Sequence, residues 1–302
     1  MKIAALDLGS NTFLCLICEV DRSKVTAIYS DEVQIVRLGQ GLSESKKFHP
    51  DALIRAEKTL SDFQKTIQTE KPDAVLAMAT SAARDALNKD ELFKICQNLQ
   101  IPLEIIPGEK EAQITYYGAI SGQSTDKNRV IIDIGGGSTE FIFGSGQKLS
   151  YGQSFDIGCV RLTEKFIQSQ PTPLDQIQNV QKFIQQQIQK LPSYPVDEIL
   201  AVAGTPTALA AAEIGYFDAN KIDGYIITKD KLQMWLNQLS QMTVDEKIKF
   251  GIPAGRADVI LIGVITLLES LQFFNLTELT VSTRGVRYGV ALELYNRHHN
   301  SI

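Results

Sequence analysis

Two stretches of the chain place an aspartate at the end of an apolar run and follow it with groups that can present hydrogen-bond donors: "ALDLGSNTF" (5–13) and "VIIDIGGGSTEFIF" (130–143). In the second, Gly135, Gly136 and Gly137 lack Cβ atoms, so their N–H groups can approach an anion and form a nest for phosphate oxygens. Ser138 and Thr139 add neutral donors at the same bend, as do Ser10, Asn11 and Thr12 after Gly9 in the first stretch. A carboxylate beside a phosphate repels it unless a cation intervenes, so Asp7 and Asp133 imply Mg²⁺ or a proton-handling role. Each stretch also reads as a tight turn with a solvated aspartate. Against that reading of the second, three successive glycines cost conformational entropy without packing anything.

A third turn, "AVAGTPTALAA" (201–211), leaves a strand at Gly204 and enters a helix, where Thr205 can act as the cap and Pro206 can occupy the first turn. A plain helix N-terminus and a further phosphate contact at Gly204 and Thr205 remain open as equal readings.

Positioning such loops requires strands that end at them. The chain opens as strand, Gly-Ser-Asn turn, strand and a β-rich continuation, "KVTAIYSDEVQIVRL". From Pro50 the spacing turns helical, and strands then alternate with helices through "DAVLAMAT", a helix from Ser81, "PLEIIP" and a helix from Glu109, which predicts a largely parallel sheet. After the polar break "SGQSTDKNR" the opening order returns: strand, glycine turn, strand, third strand, helices. The repeat predicts a duplicated α/β fold with domains over 1–123 and 124–302, the last helix being free to pack back on the first domain.

Composition is compatible with this. At 302 residues the chain can bury two cores. Its net charge of -5 offers no long-range attraction to a polyanion, which argues against a nucleic-acid partner. The stretch "VILIGVITLL", between Asp258 and Glu269, is too short to span a bilayer and reads as a buried helix, so no membrane partner is expected. Cys15 and Cys18 form a C-x-x-C, but in a strand they point to opposite faces, which suits core packing rather than redox or metal chemistry. Scattered cysteines without an apolar leader point to the cytoplasm. His49, His298 and His299 are isolated or terminal, which excludes a histidine metal set and a Ser-His-Asp triad.

With these pieces assembled, the chain resembles the exopolyphosphatase / guanosine pentaphosphate phosphohydrolase family of the actin, sugar kinase and heat-shock-protein ATPase superfamily. The matching segments, in order, are "ALDLGSNTF", "ATSAARDALN", "GEKEA", "DIGGGSTE", "GCVRL", "AGTPTALA", "GRADVI" and "RGVRYG". The resemblance implies two actin-like (ribonuclease H-like) domains with a cleft between them, and Mg²⁺-dependent release of terminal phosphate from polyphosphate or guanosine pentaphosphate. It also implies Glu111 as the catalytic base, Asp133 and Glu140 as metal and water ligands, and phosphate contacts at Gly9, Ser10, Asn11, Gly136, Gly137, Ser138 and Arg84. Lys110 and Gln113 depart from the family's motif around Glu111, where it carries a glutamate and often an arginine. Two other classes stay open: an actin-like ATP-binding kinase or ATPase, and a phosphate-chain sensor without turnover. The oligomeric state is open as well, a homodimer included. Of the remaining arginines, Arg256, Arg284 and Arg287 are candidates for phosphate or simply for solvent, and Arg256 and Lys249 for the rim of the cleft.

Overall fold

In a computed structural model of the chain, the described residues are 1–122 and 126–299. The expected boundary between 123 and 124 lies outside them. The chain divides into two compact units, Met1–Ser124 with Arg284–Ile302, and Thr125–Thr283. The segment from Arg284 onward therefore counts with the first unit.

The first unit runs β1 (Lys2–Leu8), β2 (Thr12–Asp21), β3 (Lys24–Ile35), α1 (Leu42–Ser45), α2 (Pro50–Glu70), β4 (Ala74–Ala79), α3 (Ser81–Asp85), α4 (Lys89–Asn98), β5 (Leu103–Ile105) and α5 (Gly108–Ala119). Its sheet has the order β3-β2-β1-β4-β5, antiparallel at β1–β2–β3 and parallel from β1 to β5. β1 is buried on both faces, which is why it reads as an unbroken apolar run. Alternate residues of β1 and β2 feed two cores: Leu6, Leu8 and Cys15 face α2 and α4, while Ile3, Ala5 and Cys18 belong to the other face. Cys15 and Cys18 are thus separated by the sheet, as their spacing demands, and all four cysteines are free and buried. α2 begins at Pro50, with His49 accepting the Asp51 N–H at its cap, and buries the stripe Ala52, Leu53, Ala56, Leu60, Phe63, Ile67.

The second unit runs β6 (Asn128–Ile134), β7 (Thr139–Ser145), β8 (Lys148–Phe155), α6 (Cys159–Phe166), α7 (Leu174–Ile188), β9 (Glu198–Val202), α8 (Gly204–Ile214), α9 (Ala219–Ile222), β10 (Ile226–Thr228), α10 (Lys229–Ser240), α11 (Val244–Lys249), α12 (Ile260–Phe273) and β11 (Glu278–Val281). Its sheet order, β8-β7-β6-β9-β11-β10, repeats the first with one antiparallel edge strand added. The apolar α12 is buried along nearly its whole length, so the uninterrupted hydrophobic stretch is a core helix. Among the described residues no helix is long and apolar enough to cross a membrane.

The final helix, α13 (Val286–His299), packs on the first unit's sheet through Val286, Val290 and Leu294, and on α5. A Cβ at Gly289 would fall 2.0 Å from the Ile114 carbonyl oxygen, and one at Gly118 would fall 2.2 Å from that of Gly285. Only glycine allows α5 and α13 to lie this close. Gly289 of "RGVRYG", with Gly118, therefore lets α13 hold α5, the helix that carries Glu111.

Candidate active site

Both Asp-containing loops are closed by one hydrogen bond. Gly9 N–H donates to Thr12 O at 3.1 Å, and Gly135 N–H donates to Ser138 O at 3.0 Å. The same fold-back brings the place of a Cβ to 2.9 Å from Thr12 O at Gly9 and 3.0 Å from Ser138 O at Gly135, so a side chain at the first position would crowd the closing carbonyl in both loops.

In the second unit, α6 holds the glycine loop from behind. Cys159 N–H donates to Gly135 O at 2.9 Å, Val160 N–H to Gly136 O at 2.8 Å, and the Arg161 Nε–H to Gly137 O at 2.7 Å. All three glycine carbonyls are thereby occupied. The N–H groups of Gly136, Gly137 and Ser138 have no acceptor among the described residues, which leaves three consecutive donors for an anion. Gly158 makes this contact possible, since a Cβ there would meet Gly137 C at 2.3 Å and Gly136 O at 2.4 Å.

The side chains of this loop are committed differently from the sequence expectation. Ser138 Oγ–H donates to Glu140 Oε1 at 2.8 Å and Thr139 Oγ1–H to Ile157 O at 3.0 Å. Each hydroxyl has one hydrogen, so neither is a neutral donor for phosphate in this arrangement; the backbone supplies the donors instead. Asp133 and Glu140 are paired across β6 and β7, which puts both carboxylates on one face of the sheet. Ser154, paired with Glu140 on β8, donates to the same Oε1 at 2.6 Å. Both carboxylates are nearly covered, at 7% and 1% exposure.

Among the described residues no cluster of three or more His, Cys, Asp or Glu could hold a metal. A pair of hard carboxylates backed by hydroxyl donors fits an ion that completes its shell with water and phosphate oxygens, as Mg²⁺ does, and does not fit a softer metal.

In the first unit, Gly39 N–H donates to Ser10 O at 2.8 Å, and Val36 and Arg37 N–H both donate to Asn11 O at 2.9 Å. Ser10 Oγ accepts from Ala82 N–H at 3.2 Å, which ties the loop to α3 and leaves the hydroxyl hydrogen for a ligand. Asp7 is buried, and its register partner on β2 is Leu14, an apolar residue.

Glu111 occupies the first turn of α5 and is 5% exposed. Its Oε2 accepts from Arg84 Nη1 at 2.6 Å, and the same nitrogen donates to Ile106 O at 3.0 Å. Arg84 and Glu111, distant in sequence, thus form one unit. Lys110 points elsewhere, pairing with Glu293 of α13 at 3.0 Å and with Gln113 at 3.3 Å, so the departure from the family motif leaves the Glu111 carboxylate in place.

The turn into α8 is strained. Ala203, at its N-cap, has φ 71° and ψ -162°, a region costly for any residue with a side chain. Thr205 is not the cap: it lies inside the first turn, 4% exposed, with Oγ1 3.7 Å from Cys159 Sγ and packed on Gly263. The correction follows from helix register, because the helix starts at Gly204 with Ala203 as its cap, two residues earlier than a Thr205 cap requires. Arg256 lies over that glycine, where a Cβ would come 1.6 Å from Nη1. Burial pulls the Arg256 guanidinium below its ordinary range, with Cys159 opposing. Lys249 is exposed at the end of α11.

The other two arginines belong to structural contacts of the first unit. Arg284 donates to Ser121 O, and Arg287 grips Asp31 with two bonds of 2.7 and 2.8 Å. Burial lowers the Arg287 guanidinium, but Asp31 and, more weakly, Asp7 outweigh it and leave it above its usual range. Sequence reasoning assigned no role to Ser154 or Arg161. A signal existed for the second, since "VRL" recurs after the third strand of each half, at 36–38 and 160–162.

Two copies of one strand order, each with a glycine-led donor loop beside an aspartate at the end of its first strand, define an actin-like phosphate-binding protein. The chain belongs to the Ppx/GppA phosphatase family, whose model matches residues 16–298. It is 31% identical to "Exopolyphosphatase 2" of Mycobacterium tuberculosis, an alignment covering 97% of this chain and 98% of the relative. To "Guanosine-5'-triphosphate,3'-diphosphate pyrophosphatase" of Photobacterium profundum it is 29% identical over 98% of this chain and 60% of the relative. The crystal structure of the Aquifex aeolicus Ppx/GppA family member superposes with a TM-score of 0.84 at 29% identity, covering 99% of this chain and 98% of that one.

Proposed function

We propose that the protein hydrolyses the terminal phosphoanhydride of inorganic polyphosphate, of guanosine pentaphosphate, or of both, with Mg²⁺ as its metal. The observation that carries this reading is the row of three N–H groups at Gly136, Gly137 and Ser138 without acceptors among the described residues, beside the carboxylate pair Asp133 and Glu140. A neutral turn has no use for such a row, whereas a phosphate chain needs it. Asp133 and Glu140 would hold Mg²⁺, which supplies charge neutralisation at the phosphate oxygens.

Glu111 takes a proton from water. The water oxygen forms a bond to the terminal phosphorus, and the bond from phosphorus to the bridging oxygen breaks with its electron pair staying on the shortened chain. Orthophosphate is the product. The backbone donors hold non-bridging oxygens throughout and orient the phosphorus for in-line attack.

The test is phosphate release from long polyphosphate, short polyphosphate and guanosine pentaphosphate in parallel, for the native protein and for Glu111→Gln. A base of this kind contributes roughly 10²–10⁴-fold, so Glu111→Gln should fall by that factor. Release at the native rate by the variant would remove Glu111 from the mechanism. ATP-dependent phosphorylation of an added acceptor, with polyphosphate left intact, would replace the hydrolase by a kinase.

A further inference from the structure

We propose that Arg84 couples the ionisation of the base to the charge of the substrate, one edge of its guanidinium holding Glu111 and the other receiving a non-bridging phosphate oxygen. The proposal rests on Glu111 being the base. Arg84 Nη1 spends both hydrogens inside the protein, on Ile106 O and Glu111 Oε2. Its Nε–H and the two hydrogens of Nη2 meet no acceptor among the described residues. A guanidinium is a rigid fork whose two edges can serve two oxyanions in a fixed geometry, whereas a lysine ammonium is a compact point charge without such edges.

Accessibility points the same way. The Glu111 side chain is 7% exposed and that of Arg84 is 23%, so an anion reaches the pair from the arginine side. The helix bearing Arg84 is also bonded to the donor loop of the first unit, through Ala82 N–H to Ser10 Oγ. The free edge therefore belongs to an element already joined to a loop with a hydroxyl to offer.

The consequence is a charge that is shared before the reaction and released during it. While Glu111 is ionised, its carboxylate holds part of the guanidinium's charge. Attack transfers one water proton to Glu111 as the water oxygen bonds to phosphorus and the bridging oxygen leaves with the electron pair. The carboxyl is then neutral, and the full charge of Arg84 acts on the phosphoryl oxygens. An interaction that strengthens as the barrier is crossed raises turnover rather than ground-state binding.

Glu111→Gln imitates the protonated carboxyl while keeping an acceptor for Nη1. Inorganic phosphate is titrated calorimetrically into the native protein, Glu111→Gln, Arg84→Gln and the double variant, with thermal unfolding as the check on folding. Glu111→Gln should bind phosphate about tenfold more tightly than native, one charge-assisted hydrogen bond's worth of affinity. In the double variant that gain should vanish.

Equal or weaker binding by Glu111→Gln, or a gain that survives removal of Arg84, overturns the coupling even if Glu111→Gln is inactive. Native turnover by Glu111→Gln overturns the base assignment instead, so the two failures are distinct. Arg84→Lys keeps the charge but offers no second edge. It should lower kcat on polyphosphate about tenfold while changing KM less, and a native kcat in that variant also overturns the proposal.

Discussion

The two phosphate loops share a closing hydrogen bond, a leading glycine and an aspartate two residues before it, and they differ in what stands across the strand pair. Asp133 faces Glu140, whereas Asp7 faces Leu14. Asp7 instead lies in the field of Arg287, a cation of its own unit. The backs of the loops differ too: a helix with an arginine side chain occupies the carbonyls of the second, while backbone donors of an irregular segment serve the first. One scaffold, used twice, has kept the glycine-closed turn in both copies and a carboxylate pair in only one. On the proposed function, the carboxylate pair of the second unit is the place for the cation, and Asp7 has no carboxylate across its strand pair.

The sharpest way to break that assignment is to neutralise each aspartate and read the Mg²⁺ activation curve of phosphate release. Asp133→Asn and Glu140→Gln should lower turnover by roughly 10³-fold and move half-activation to higher Mg²⁺, because on the proposed function each removes one of the two carboxylates that would hold the ion. Asp7→Asn should cost less and leave the midpoint of the curve where it is in the native protein. Equal shifts for Asp7→Asn and Asp133→Asn would mean that the loops share the metal and that the asymmetry of their register partners has no chemical meaning.

A smaller effect tests the supports. A methyl group at Gly158 would meet three backbone atoms of the glycine loop at 2.3–2.4 Å, whereas one at Gly39 would meet the Ser10 Cβ at 3.3 Å. Backbone cannot swing aside as a side chain can, so Gly158→Ala should destabilise by about 2–3 kcal/mol and weaken polyphosphate binding. Gly39→Ala should stay within about 1 kcal/mol. Urea unfolding and KM for the pair measure both, and a Gly39→Ala penalty as large as that of Gly158→Ala would show the two supports to be equally rigid.

Much of this architecture is legible in the sequence because it is local. The aspartate-glycine loops, the cap at His49 and Pro50, the stripe of α2 and the buried α12 each follow from neighbours in the chain. The opposite fates of Cys15 and Cys18 follow from strand alternation alone. Most of what escaped is long-range. Ser138 looks like a phosphate donor until the Glu140 carboxylate two residues on takes its hydroxyl hydrogen, and Thr139 does until the distant Ile157 carbonyl takes its own. Gly158 looks like any loop glycine until its distance to Gly136 is known, and the destination of α13 depends on glycines of two helices far apart in sequence. Arg84 and Glu111 stand 27 residues apart, and no local pattern announces that they meet.

The smallest effect separates the units by pH window, because Glu293 of the first and Lys247 of the second are both held below their usual values, one in the acid range and one in the alkaline. In the first, burial pushes the Glu293 carboxyl up, but Lys110 and Arg297 outweigh it and hold it below its usual 4.5. A depressed carboxyl contributes stability above its unfolded value, and this is lost as pH falls through the folded one. In the second, burial pulls the Lys247 ammonium, which donates to Gln170 Oε1 at 2.5 Å, from 10.5 down to about 8, with Asp258 opposing. Between about pH 8 and 10.5 the unfolded chain binds a proton that the folded lysine has released, so stability from this group rises with pH across that window. Glu293→Gln should therefore cost stability at neutral pH and converge with the native protein as pH falls below 4.5 and through the lower folded value. Lys247→Met should gain relative to native most below pH 8 and lose that advantage towards pH 10.5; losing the Gln170 bond adds a constant offset, so the slope is the quantity to read. Urea midpoints across the pH range decide it: a native-minus-variant difference independent of pH for Lys247→Met would mean that the buried ammonium stays charged and is compensated within the fold.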